Sequence, residues 1–309
     1  MKLYLGSACG NLVTLDFVGN DKKDYEFLNI KLCANFVGPI LKTEKKDLII
    51  GLDKNTIEII NTGNRKKREL IKHQYQNFAD ICSINNPDLF IFVAVKKFIY
   101  VWKKNCFNKW GLVYKITSMC KIDLITKILP SKLIVTSNAE SRNLNIWNIF
   151  ENKVLFCGKA TIQDKTIGID GSPYNDYFII RTCKGDMQVY SNTGDCLRIL
   201  CEHNNRGKNY LNSIQHSLKF YDQTTVISGG SNKNLLLWDF RVNKIVREWP
   251  GHRGEIKMVD RIESIDHPQR YLVISCDIFD TIKMWDIRSD KEFRSFKFGS
   301  FKMNSTKFV

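Results

Sequence analysis

Seven times along its 309 residues the chain repeats one pattern: an apolar run, a small or polar turn, then a second apolar run. The blocks are Leu3 to Asp16, Leu48 to Asn61, Leu89 to Lys103, Leu133 to Asn148, Tyr177 to Ser191, Thr225 to Asp239 and Leu272 to Asp286. The second run of each ends on a bulky residue. These are Leu15, Ile60, Trp102, Trp147, Tyr190, Trp238 and Trp285, spaced 42 to 48 residues apart. A period of this length fits a unit of four short strands. One such sheet cannot cover its own apolar faces, so neighbouring units must stack face to face.

The last two blocks are the most specific. Thr281-Ile282-Lys283-Met284-Trp285-Asp286 and Asn234-Leu235-Leu236-Leu237-Trp238-Asp239 resemble the third strand of a WD40 repeat. Gly251-His252 resembles the family's Gly-His dipeptide, and His73 and His203 fall at corresponding places without the glycine. The resemblance implies an all-β fold: a single seven-bladed WD40-type β-propeller over residues 1–309. It also implies a polar network of a His, a Ser or Thr, a turn Asp and the Trp, which gives a buried indole N–H the partner it needs. In the last blade that network maps onto His252, Ser275 and Trp285, and in the preceding one onto His203, Ser228 and Trp238. Phe279 stands where the turn Asp is usual, with Asp277 and Asp280 nearby, and Asn232 takes that place one blade earlier. The first block starts at Leu3, with no strand-length segment before it. The tail from Met303 to Val309 has the pattern of an innermost strand, so it is expected to complete blade 1.

Composition removes several function classes. Ten cysteines include no Cys-x-x-Cys pair, and Cys196 and Cys201 are the closest two, which argues against a disulfide framework or a zinc site. The longest apolar run, Leu89 to Val95, is far short of the ~20 residues of a spanning helix. A cytosolic or nuclear location without membrane contact is expected. Neither a P-loop nor His-Glu-x-x-His occurs, and Gly168-x-Asp170-Gly171-Ser172 lacks the glycine placement of a nucleophile elbow. No catalytic residue, metal, cofactor or small-molecule substrate is expected. An enzyme using residues of a propeller channel is the least favoured alternative.

The formal net charge is +15. Residues 1–150 hold 23 Lys and Arg against 13 Asp and Glu. Between Leu89 and Ile122 stand seven lysines and no acid, with Phe98, Tyr100, Phe107, Trp110 and Tyr114 interleaved. Arg65, Lys66, Lys67, Arg68, Lys96, Lys97, Lys103, Lys104 and Lys109 are therefore a candidate basic face for a phosphate backbone or an acidic protein. The same residues read equally as solvated lysine that guards blade edges, with an overall excess of Lys and Asn behind it.

Trp238-Asp239-Phe240-Arg241 and Trp285-Asp286-Ile287-Arg288 both match Trp-Asp-x-Arg. Similar motifs mark WD40 substrate receptors of cullin-RING ubiquitin ligases, so Arg241 and Arg288 are candidate adaptor-docking residues. Alternatively each arginine pairs with the Asp two residues before it. The function expected first is a non-catalytic scaffold joining proteins of a larger assembly, with RNA or ribosomal particles as further partners. A ligase substrate receptor is the rival.

Overall fold

A computed structural model describes residues 2–7, 9, 11–17, 25–31, 37–43, 47–52, 56–61, 68–72, 79–86, 88–107, 109–138, 142–150, 153–200, 218–262, 270–298 and 302–308. Every regular element among them is a strand. In chain order these are β1 (Lys2–Ser7), β2 (Asn11–Phe17), β3 (Tyr25–Lys31), β4 (Val37–Lys42), β5 (Asp47–Leu52), β6 (Thr56–Asn61) and β7 (Arg68–Lys72). Then come β8 (Asp80–Asn86), β9 (Asp88–Val95), β10 (Phe98–Lys104), β11 (Trp110–Thr117), β12 (Leu124–Ile128), β13 (Leu133–Asn138), β14 (Asn143–Phe150) and β15 (Lys153–Thr161). They are followed by β16 (Thr166–Gly171), β17 (Tyr177–Thr182), β18 (Met187–Ser191), β19 (Cys196–Leu200), β20 (Leu218–Phe220), β21 (Thr225–Ser228), β22 (Leu235–Asp239) and β23 (Lys244–Trp249). The last are β24 (Ile256–Arg261), β25 (Leu272–Asp277), β26 (Thr281–Asp286), β27 (Glu292–Lys297) and β28 (Met303–Phe308).

These strands form seven four-stranded sheets. Six use consecutive strands: β4 to β7, β8 to β11, β12 to β15, β16 to β19, β20 to β23 and β24 to β27. The first sheet has the order β28-β1-β2-β3. Each repeat block of the sequence supplies the two middle strands of one sheet. The fold is all-β and of the propeller class, but six blades are recognisable as such, one fewer than the spacing predicts. Among the seven sheets, the one from β20 to β23 has the least ladder to define it, with three residues in β20 and four in β21.

The chain divides into two compact units, Met1–Asn77 with Gly229–Leu236 and Glu248–Val309, and Phe78–Ser228 with Leu237–Arg247. In the first unit, Leu3, Leu5, Val13 and Leu15 of the first sheet pack with Leu272, Ile274, Ile282 and Met284 of the last. Tyr4 and Leu12 point the other way, onto Leu48, Ile50 and Ile60 of the second sheet. Alternate side chains of one strand thus fill two different interfaces, which is why the repeat reads as continuous apolar runs rather than apolar–polar alternation. The second unit repeats the scheme. Phe90, Phe92, Ile99 and Val101 pack on Ile125, Ile134 and Trp147, and Val135, Leu144 and Ile146 pack on Phe178, Ile180 and Tyr190.

The tail pairs as the sequence suggested. β28 runs antiparallel to β1, with Leu3 opposite Phe308 and Leu5 opposite Thr306. A buried turn holds it there. Asp280, at φ 59°, accepts the Lys257 ammonium at 2.7 Å and the backbone N–H groups of Lys302 and Met303 at 2.7 and 3.0 Å. Lys257 also donates to the Met303 carbonyl at 2.9 Å.

Carboxylates perform a related task in the second unit. Asp80 on β8 accepts the N–H of Ile125 on β12 at 3.1 Å. Asp170 on β16 accepts the N–H of Phe220 on β20 at 2.9 Å and the Lys219 ammonium at 2.9 Å. Between them Thr126 accepts the N–H of Gly171. A Cβ at Gly171 would fall on the Lys127 carbonyl, so only glycine lets β12 and β16 approach so closely.

Candidate interaction surfaces

The polar network assembles in the last sheet. The Trp285 indole N–H donates to Ser275 Oγ at 2.7 Å. Ser275 Oγ meets His252 Nε2 at 2.6 Å, and His252 Nδ1 meets Asp277 at 3.1 Å. Donor matching makes this one chain: Trp to Ser, Ser to the unprotonated Nε2, and Nδ1–H to Asp277. Burial holds the imidazole below its ordinary pKa of 6.5, against the upward pull of Asp277. The turn acid left open by the sequence is therefore Asp277, which also accepts the N–H groups of Phe279 and Thr281. Asp280 is spent on β28 instead.

Elsewhere the network is abbreviated. Trp238 donates to Ser228 at 3.0 Å, as expected, whereas His203 lies outside the described residues. Trp147 donates to Thr136 at 3.1 Å. Tyr190 ends its strand with a hydroxyl bonded to Gln188. A β-bulge precedes the bulky residue in four sheets, at Val101/Trp102, Ile146/Trp147, Val189/Tyr190 and Met284/Trp285. In the first two sheets, where Leu15 and Ile60 hold that place, the third and fourth strands stay in register. A large ring at the strand edge needs the extra local twist a bulge supplies.

Among the described residues the candidate basic face divides between the two ends of one sheet. Arg65, Lys66 and Lys67 lie outside the described residues, and Arg68 begins β7 with its side chain outside them. Lys96 and Lys97 form the tight turn between β9 and β10, their carbonyls accepting the N–H groups of Ile122 and Ser118. Lys103, Lys104 and Lys109 lie at the opposite end, beside the turn from β10 to β11, roughly 20 Å away at the usual strand rise. Lys103 pairs with Asp88 at 2.7 Å. Lys104 sits 5.4 Å from the Trp110 ring centre, and Lys115 sits 4.2 Å from that of Phe98.

Each end carries an exposed apolar side chain. Phe107, one of the aromatics interleaved with the lysines, is 79% exposed, and Met119, which the sequence reading did not single out, is fully so. Asn105 opens the turn of Phe107, and its Oδ1 accepts the N–H groups of Phe107 and Lys109. Further exposed apolar residues are Phe156 on β15, Leu197 and Ile199 on β19, Ile245 and Val246 on β23, and the Ile278–Phe279 turn.

Arg241 and Arg288 pair with the aspartates two residues before them. Arg241 binds Asp239 through Nε at 3.1 Å and Nη2 at 2.6 Å. Arg288 binds Asp286 at 2.9 and 2.6 Å and lies 4.2 Å from the Tyr271 ring centre. Both side chains keep more than half their surface exposed. The hydrogen bond from Arg241 holds the Asp239 carboxyl below its ordinary range.

Among the described residues no group of three or more His, Cys, Asp or Glu is placed to hold a metal, and no helix is long and apolar enough to cross a membrane. The described cysteines are free thiols, and burial pushes those of Cys82 and Cys276 upward.

Successive four-stranded antiparallel sheets are the building unit of a β-propeller, and the Trp–Ser–His–Asp chain of the last one resembles that of a WD40 repeat. A solved WD40 β-propeller domain of Doa1 superposes with a TM-score of 0.68 at 11% identity, covering 97% of this chain and 89% of that one. In sequence, the chain is 23% identical over 181 residues to pre-mRNA-processing factor 19 homolog 2 of Arabidopsis thaliana. That match covers 57% of this chain and spans about a third (32%) of the relative. No family model matches.

Proposed function

We propose that residues 1–309 act as one seven-bladed WD40 propeller domain that holds other proteins together and catalyses no reaction. The seven four-stranded sheets support the blade count. The observation that carries the function is the run of apolar side chains on outer strands. Leu112 and Val113 on β11, Phe156 on β15, Leu197 and Ile199 on β19, and Ile245 and Val246 on β23 are all exposed. These side chains are the candidate protein contacts, an exposed apolar patch rimmed by polar residues being the usual mark of one. An affinity pull-down from RNase-treated lysate tests this. A defined set of co-purifying proteins is expected, lost when Leu197 and Ile199 become Ser and Ile245 and Val246 become Asn. Elution of the chain alone would remove the reading.

The setting we favour is a cytosolic or nuclear ribonucleoprotein assembly. The acid-free segment from Leu89 to Ile122 supports it, as does the relative named for pre-mRNA processing. Part of the captured set should then leave with RNase or rising salt. For the ligase-receptor reading, a partner would have to meet Arg241 and Arg288 as pairs already formed. Retention of a ligase adaptor after RNase, lost on Arg241→Ala with Arg288→Ala, is the outcome that would favour it.

A further inference from the structure

The two ends of the sheet formed by β8 to β11 carry similar charge but different chemistry. At the end bearing Lys96 and Lys97, the exposed apolar residue is Met119, and Lys121 is paired with Asp123 at 2.9 Å. At the other end an aromatic side chain protrudes. The Asn105 carboxamide and the Asn105 N–H to Lys109 carbonyl bond fix the turn, and Phe107 projects from it into solvent. Lys109 is exposed beside it, and the Lys104 ammonium stands over the Trp110 ring. Asp88, the carboxylate at this end, is paired with Lys103. Trp110 opens β11 opposite Lys104 in the ladder, so the indole and the Lys104 side chain share one face of the sheet.

We propose that Lys104, Phe107, Lys109 and Trp110 form a stacking platform for single-stranded nucleic acid. This rests on the ribonucleoprotein setting favoured above and names its site. A base stacks on Phe107, the Trp110 indole extends the aromatic surface, and Lys104 and Lys109 meet the phosphates. Planar bases suit an exposed ring. Stacking on aromatics with lysine along the backbone is how sequence-tolerant single-strand binding is built. An acidic protein would use the lysines but would also need the ridge of Leu112 and Val113 further along β11.

The test uses the purified full chain and labelled oligo(U) RNA and oligo(dT) DNA of about 15 nucleotides, by fluorescence anisotropy over a salt series. Binding that weakens with salt is expected. Phe107→Ala should weaken it about tenfold. Lys104→Gln with Lys109→Gln should weaken it comparably and reduce the salt slope by about one to two. Lys96→Gln with Lys97→Gln removes the same charge at the opposite end and should change affinity by about twofold or less. RNA binding tighter than DNA would assign the natural ligand to RNA, and equal binding to single strands of either kind. No measurable binding overturns the proposal. So does an equal loss from both lysine pairs, which would mean diffuse charge, or a poly-glutamate peptide that binds where the oligonucleotides do not. The RNase-treated pull-down reports on the scaffold reading separately, since it depends on proteins retained without RNA.

Discussion

The first and last sheets share a cluster of apolar side chains yet are held by different means. The last, β24 to β27, comes from contiguous chain. Its strand ends on Trp285, with a bulge before it and the indole tied through Ser275 and His252 to Asp277. The first is assembled from β1 to β3 and the distant β28, with β2 and β3 in straight register, Leu15 where the Trp would be and the buried Leu5 in its core. One sheet is pinned by a polar chain and the other is filled by aliphatic packing. The four-strand unit tolerates both because its stability comes from face-to-face burial; the polar pin answers only the hydrogen-bonding need that an indole brings with it.

The largest expected effect breaks the asymmetry at its source. Removing residues 302–309 takes the inner strand from the first sheet and the two backbone donors from Asp280. A loss of more than about 4 kcal/mol should follow in denaturant unfolding, with partial recovery when the segment is added as a peptide. A truncated chain that melts like the full one would mean the first sheet does not depend on β28. Next is the clamp itself. Asp280→Asn keeps the turn conformation but leaves the buried Lys257 without its counter-charge, at a cost of about 3–5 kcal/mol. Adding Lys257→Met should restore most of that. A double variant no better than the single would show that the backbone bonds to Lys302 and Met303 matter more than the ion pair.

The interiors themselves can be compared with a matched pair of truncations. Leu5→Ala should cost about 2–5 kcal/mol through the cavity it leaves. Ser275→Ala should cost about 1–3 kcal/mol by orphaning the Trp285 N–H and His252. The opposite order would make the polar pin the stronger device.

A smaller effect separates the sheets by pH. The folded pKa of His252 is depressed by burial below 6.5, so its contribution is present above that value and lost as pH falls towards the folded pKa. Protonation would also turn the Nε2 acceptor of the Ser275 hydroxyl into a donor. The melting temperature should fall on acidification below about pH 6.5, and His252→Gln should flatten that part of the profile. The smallest effect is at the surface: Arg288→Ala should leave the melting temperature unchanged within error, because its pair with Asp286 is exposed.

The sequence was readable where a residue type answers a local need. The middle strands follow from period and burial, and the Trp–Ser pairs and the inner role of the tail from the resemblance to WD40 repeats. The carboxylate hooks of Asp80 and Asp170 were not readable, since each accepts a backbone N–H from a strand 45 to 50 residues away, and backbone groups leave no mark on composition. The division of the basic segment between two ends was not readable for a related reason. Lys97 and Lys103 are close in number, but a strand separates them, and its direction puts them at opposite ends.

The pairing of β1 with β28 also has a consequence in time. Translation at about 5–20 residues per second leaves β1 waiting roughly 15–60 seconds for its inner neighbour. Throughout that interval Leu3 and Leu5 sit on a strand whose inner edge has open hydrogen-bonding groups, the kind of template that recruits stray strands. Of these seven sheets the first to be synthesised is thus the last that can be completed, and the nascent chain's exposure to chaperones and to misassembly should be concentrated at the open edge of β1.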